Sequence, residues 1–162
     1  MGEIVLFTPL PVGDGTMTYD RTQRAPWGWI LGLLGGLLLG LGIESAGSHG
    51  AWILSLVGGV ILLCAGLFSS LNVRDERDRL AVRFGPLPMI RWEVMYADIE
   101  EVEAVRSTLL DGWGMHWAPG QGWTLNVWGF DCVEVHMRSG RRLRIGTDEP
   151  LELKTHLLAR ME

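Results

Sequence analysis

Hydrophobic and polar positions divide this chain into an apolar half and an alternating half. Pro26 to Ile43 contains no charged side chain, and neither does Ala51 to Val73. A helix that crosses the hydrocarbon core of a bilayer needs about 20 mostly apolar residues. The pattern therefore predicts a transmembrane helical hairpin over 26–71, with a first span at about 27–43 and a second at about 51–71. The seven-residue link Glu44 to Gly50 is polar. Pro26 suits the first turn of a helix, and Trp27, Trp29 and Trp52 fall at segment ends, where indoles favour the membrane interface.

After the second run the period changes. Leu80, Val82 and Phe84 alternate with Ala81 and Arg83, and Ile90, Trp92, Val94 and Tyr96 alternate with Arg91, Glu93 and Met95. That is strand periodicity, with Asp75-Glu76-Arg77-Asp78 and Gly85-Pro86-Leu87-Pro88 as breaks. Asp98 to Val105 fits either a kinked strand or one helical turn leading into a strand. Val133, Val135 and Met137, then Leu143 and Ile145, predict a hairpin. A three-residue turn Ser139-Gly140-Arg141 sets Met137 opposite Leu143 and Val135 opposite Ile145. It also sets Arg138 opposite Arg142, a cation pair that Glu134 or an anionic partner would relieve. Thr147-Asp148-Glu149-Pro150 reads as a helix start. The apolar stripe Leu151, Leu153, Leu157, Leu158 and Met161 makes the last element an amphipathic helix.

Charge sets the orientation of the apolar half. Arg21 and Arg24 precede the first span, Arg74, Arg77, Arg79 and Arg83 follow the second, and the link has neither Lys nor Arg. Both termini are expected to be cytoplasmic. The competing reading is a signal peptide cleaved near Ser45-Ala46-Gly47; the long leading region, Glu44 and the second apolar run speak against it. The net charge of −5 argues against nonspecific nucleic-acid binding, which usually needs a basic face. Cys64 and Cys132 lie in different contexts and read as reduced, structural residues.

Glycine then sharpens the picture. Gly28, Gly32, Gly36 and Gly40 recur every four residues and form a row along one helix face. In lipid, helices pair by close van der Waals contact, which such a row allows. The approaching helix is either the second run of the same chain, with its Ser55, Gly58, Gly59 and Gly66, or another subunit. Gly35 and Gly42 lie on other faces, more than a single neighbour would use.

Several segments of the second half resemble a known family. Arg83-Phe84-Gly85-Pro86, Asp98-Ile99 with Val102-Glu103, Gly112-Trp113-Gly114-Met115, Gly122-Trp123 and Arg144-Ile145-Gly146-Thr147-Asp148-Glu149-Pro150 are similar to small bacterial proteins with two membrane helices and a bacterial pleckstrin-homology-like (PH-like) domain. The resemblance covers about residues 27–161, and its final segment is the most specific. It implies a cytoplasmic-membrane protein whose mainly-β PH-like domain, over 72–162, is a partly open barrel of about seven strands capped by the C-terminal α-helix. It implies no activity, since fold does not fix function.

The chemistry that the residues themselves offer is sparse. His49, His116, His136 and His156 are scattered, with no metal-ligand spacing, and no nucleophile motif occurs. The expectation is a chain that is not an enzyme and takes no cofactor and no metal. Two features suggest contacts. Trp113, Trp117 and Trp123 lie in a Gly-rich stretch that is either a long hairpin whose indoles fold back on the core or a loop that inserts at a bilayer surface or partner. Arg138, Arg141, Arg142 and Arg144 form either a solvated strand face or a contact for anionic lipid, worth about 1 kcal/mol per basic residue. In the tail, residues 1–25, Ile4-Val5-Leu6-Phe7 are expected to add a strand to the domain or dock on a partner. The reading is thus a membrane-anchored scaffold, an accessory or assembly subunit of a larger membrane complex. Its partners are the bilayer and other subunits or further copies of itself. The alternative is a lipid-contacting module.

Overall fold

The computed structural model describes residues 18–86, 89–107 and 114–161. The elements run β1 (Asp20–Arg24), α1 (Trp27–Glu44), α2 (Ala51–Leu67), β2 (Ser70–Asp75), β3 (Arg79–Phe84), β4 (Ile90–Met95) and a 3-10 turn (Tyr96–Asp98). Then come β5 (Ile99–Arg106), β6 (Gly114–Ala118), β7 (Gly122–Asn126), β8 (Asp131–Met137), β9 (Arg142–Gly146) and α3 (Pro150–Met161).

The expectation of a two-span hairpin with a seven-stranded barrel is corrected. Among the described residues only α1, with 18 residues, is long and apolar enough to cross a membrane, a test that soluble core helices and signal sequences also pass. The second helix stops at Leu67 and has 17 residues. Its predicted end at Leu71 fails because the chain turns into the β-domain there. Phe68 packs edge-on against Phe84, the Ser69 carbonyl accepts the Ala25 N–H at 2.8 Å, and Leu71 is fully buried as a strand residue. Apolar character marked burial correctly but not the solvent in which it is achieved.

The β-domain is two sheets. One has four strands in the order β1-β2-β3-β4, the other five in the order β5-β8-β9-β7-β6. The extra strands come from two places. Asp20–Arg24, which reads as a polar tail, pairs antiparallel with β2, Arg24 opposite Ser70 and Asp20 opposite Arg74. The Gly- and Trp-rich stretch forms the β6–β7 hairpin, and β7 lies parallel to β9. The ambiguity at Asp98 resolves into a 3-10 turn followed by a strand with a register shift between Ile99 and Glu101.

Leu71, Leu80, Val82 and Phe84 from the first sheet meet Leu125, Val133, Val135, Leu143 and Ile145 from the second. The helix α3 closes the space between the sheets with Leu153 and Leu157, both fully buried. Of its expected stripe, Leu151 and Leu158 face outward instead, and His156 takes an inward position.

The β8–β9 register differs from the expected one by two residues. Val135 pairs with Leu143 and Val133 with Ile145. The turn is Arg138-Ser139-Gly140, closed by the Met137 N–H donating to the Arg141 carbonyl at 2.9 Å. Gly140, at φ 79°, supplies the left-handed residue that such a three-residue turn requires. Parity is unchanged, so the buried face is the one expected. The shift replaces the Arg138–Arg142 apposition with Glu134 opposite Arg144.

A buried polar knot ties α3 to the sheets. The Tyr96 hydroxyl donates to Asp75 Oδ1 at 2.9 Å, and Arg160 donates to Asp75 Oδ2. His156 Nε2 lies 3.3 Å from the same oxygen, off the direction for a hydrogen bond. The rings of Tyr19 and Tyr96 flank the imidazole. Burial pushes the His156 pKa below its ordinary value of 6.5; Asp75 and Glu152 oppose this and Arg160 adds to it. The folded state therefore holds His156 neutral, whereas the unfolded chain takes up a proton near its ordinary pKa. Where the unfolded state binds more protons, stability falls as pH falls. Stability is expected to drop between about pH 7.5 and about pH 5.5, and His156→Gln to flatten that slope. Urea midpoints at the two pH values check this; an unchanged slope in the variant would refute the assignment.

Candidate functional site

The strands of both sheets run between two ends of the domain. At one end the helices attach. Arg24, Ser70 and Phe84 lie there in the first sheet, with Gly85 N–H donating to the Ser70 carbonyl at 2.8 Å. In the second sheet Trp27 Nε1–H donates to the Val127 carbonyl at 3.0 Å. At the far end lie the β6–β7 and β8–β9 turns and the 3-10 turn.

The far end brings together two features that the sequence presents separately. Arg142 donates to the Gly120 carbonyl at 3.2 Å, and Arg144 donates to Gln121 Oε1 at 2.7 Å, so the two hairpin tips are docked. Trp117 and Trp123 face each other across the β6–β7 pair. Trp123 packs 5.2 Å from Trp92 of the other sheet, and Trp92 Nε1–H donates to Met115 Sδ. Trp117 is 58% exposed. Trp113 lies outside the described residues.

The arginines are largely engaged within the fold. Arg144 donates to the buried Glu134, whose other oxygen stands 2.7 Å from His136 Nε2. Burial raises the Glu134 pKa, but Arg144 and His136 outweigh it and hold the carboxyl below its usual range. Arg138 donates to the Ala97 carbonyl at 3.1 Å and clamps the turn to the 3-10 segment. Arg141 donates to Ser139 Oγ. His116 stands opposite Thr124 in the β6–β7 pair. Cys64 is exposed and Cys132 buried; burial pushes the Cys132 thiol up, which keeps it protonated. Among the described residues no three His, Cys, Asp or Glu side chains converge as a metal site.

The helix pair carries the other candidate surface. The seam between α1 and α2 is built on a seven-residue repeat of small residues: Gly28, Gly35 and Gly42 on α1 meet Ala51, Gly58 and Ala65 on α2. A Cβ on Gly35 would lie 2.9 Å from the Gly58 carbonyl oxygen, so the backbones touch. The four-residue row divides. Gly28 belongs to the seam, where a Cβ would meet Ser69 at 3.1 Å, while Gly32, Gly36 and Gly40 have nothing within 4 Å. The seven-residue repeat was present in the sequence but masked by the more regular four-residue one. Ile4, Val5, Leu6 and Phe7 lie outside the described residues.

The exposed surface of the pair is apolar all round. Trp29, Leu33, Leu37, Ile43, Trp52 and Leu56 all stand outward, Leu33 at 68% exposure. An aliphatic helix without a polar face is covered by protein or lipid in its working state. No protein-family model and no curated protein matches the chain.

Proposed function

We propose that the chain is a non-enzymatic, membrane-attached interaction protein that serves as an accessory or assembly subunit of a larger membrane complex. The apolar helix pair provides attachment at the cytoplasmic membrane, and the β-domain stays in water on the cytoplasmic side. The row Gly32, Gly36 and Gly40 receives a helix of another subunit or of a second copy.

One observation carries this reading. The helix seam is already filled through Gly28, Gly35 and Gly42, yet α1 keeps a second row of glycines open to its surroundings. Glycine costs a helix interior roughly 1 kcal/mol relative to alanine. A row with no intramolecular neighbour is useful where another backbone comes close.

The far-end arginines fit an anionic surface less well. Arg138 and Arg144 are bonded within the fold. The length of β6, five residues, puts the turn about 13 Å from the helix attachment at a rise near 3.3 Å per residue.

Native mass spectrometry of the chain extracted in mild detergent tests the proposal, with wild type compared with Gly36→Leu. The expected result is that wild type travels with other subunits or copies and Gly36→Leu releases them while its fold and abundance persist. A wild-type chain that runs alone, or a variant that keeps its companions, would refute the role of the row.

A further inference from the structure

We propose that the junction between α1 and the four-stranded sheet binds a phosphate group, presented by an anionic lipid headgroup or free in solution. An open cavity of about 620 Å³ lies where the chain leaves β1, enters α1 and returns through Ser69 and Ser70. Its walls contain two arginines, Arg24 and Arg83, and no carboxylate. Thr22 and Ser70 add hydroxyls to the lining, whereas the Asn72 amide is spent on Asp20 and Thr22 and the Ser69 hydroxyl on the Gly66 carbonyl.

The state of the two arginines supports the assignment. Arg24 is exposed and has no carboxylate within 4 Å among the described residues. Arg83 spends one terminal nitrogen on Glu76, but its Nε is buried without a hydrogen-bond partner. A guanidinium offers its donors as a fork that matches two oxygens of one phosphate. The N-terminus of α1 opens at the same place, and its cap position, Pro26, supplies no side-chain hydrogen bond. The Gly28 N–H is taken by the Ala25 carbonyl, and the other first-turn N–H groups add partial positive charge of the kind that anions occupy. Trp29, 65% exposed, stands beside the cavity. An indole there suits the headgroup level of a bilayer.

The headgroup source rests on the membrane attachment proposed above; the phosphate site itself does not. The full chain is placed in nanodiscs of phosphatidylcholine alone or with phosphatidylglycerol, and retained lipid is counted by native mass spectrometry. In parallel, inorganic phosphate is titrated calorimetrically into the phosphatidylcholine sample. Retention of phosphatidylglycerol that falls about tenfold in Arg24→Gln and recovers only in part in Arg24→Lys, which keeps the charge without the fork, supports the headgroup source. Binding of inorganic phosphate with the same dependence, and no lipid retention, supports the free anion. Arg83→Gln is expected to weaken binding similarly; should it misfold, Arg24→Gln decides alone. Absence of both binding events, or binding unchanged in Arg24→Gln, overturns the site. Failure to enter nanodiscs overturns membrane attachment instead, and the phosphate titration then decides the site on the unincorporated protein.

Discussion

Gly58→Ala is expected to force α1 and α2 apart. The added Cβ would stand 2.5 Å from the Leu39 backbone nitrogen and 2.7 Å from the Gly35 carbonyl oxygen. Both are backbone atoms of the facing helix, so no side chain can swing aside, and the helices themselves must move. Inserting a methylene-sized group into a packed interior costs about 1–3 kcal/mol, occasionally more. The upper part of that range applies here, since an added Cβ at Gly35 or Gly42 would also meet atoms closer than 3.0 Å and the shift spreads along the seam. Gly59→Ala is the control. Open space surrounds that position, and alanine is the better helix former by roughly 1 kcal/mol. Thermal unfolding in detergent should separate the two, with Gly58→Ala melting lower and Gly59→Ala unchanged or higher. Equal melting of both variants would mean that the seam is elsewhere.

Asp75→Ala is expected to be the most damaging substitution in the β-domain. The Asp75 side chain is fully buried and accepts from Tyr96 and Arg160, which reach it from the 3-10 turn and from α3. Removing one partner of a buried ion pair costs about 3–5 kcal/mol, because the other charge is left without compensation. The lower end applies, since the Arg160 side chain is one quarter exposed and can turn to water. A loss of about 3 kcal/mol is a large share of the stability of a typical domain. Denaturant unfolding measures it. A double-mutant cycle with Arg160→Ala should return clear coupling between the two residues; additive losses would show that the pair does not act as a unit.

The sequence read most clearly where one period dominated. Alternation located β3, β4, β8 and β9 and the buried face of each. The helix start at Pro150 was legible from its capping run, and the Thr147 hydroxyl does accept the Glu149 N–H at 3.1 Å. Other elements were illegible for physical reasons. The strand β1 has no aliphatic residue, because its contacts with the rest of the fold are polar: Arg21 reaches Glu149 and Gln23 reaches Asp148. Leu71 belonged by composition to the preceding helix, and only tertiary pairing with β1 and β3 assigned it to a strand. The β8–β9 turn was placed one residue off, which shifts the pairing by two, because hydrophobic parity fixes the face of a strand and not its partner. Of the candidate surfaces, the glycine row was visible. Its division into a seam residue and three open positions needed the second helix in place. The docking of the two hairpin tips through Arg142 and Gly120 has no local signal, since their spacing in sequence is 22 residues.

The central claim is that a second chain lies on Gly32, Gly36 and Gly40. Cysteine cross-linking in the native membrane tests it most directly, in a chain whose exposed Cys64 is first replaced by serine. Single cysteines are placed at Gly32, Gly36 and Gly40, and for comparison at Leu34 and Leu41, which the turn of about 100° per residue puts toward the other side of α1. The account predicts adducts to a companion helix at the three glycine positions and not at the two leucines. Adducts at all five positions alike, or only at the leucines, or at none, would contradict it.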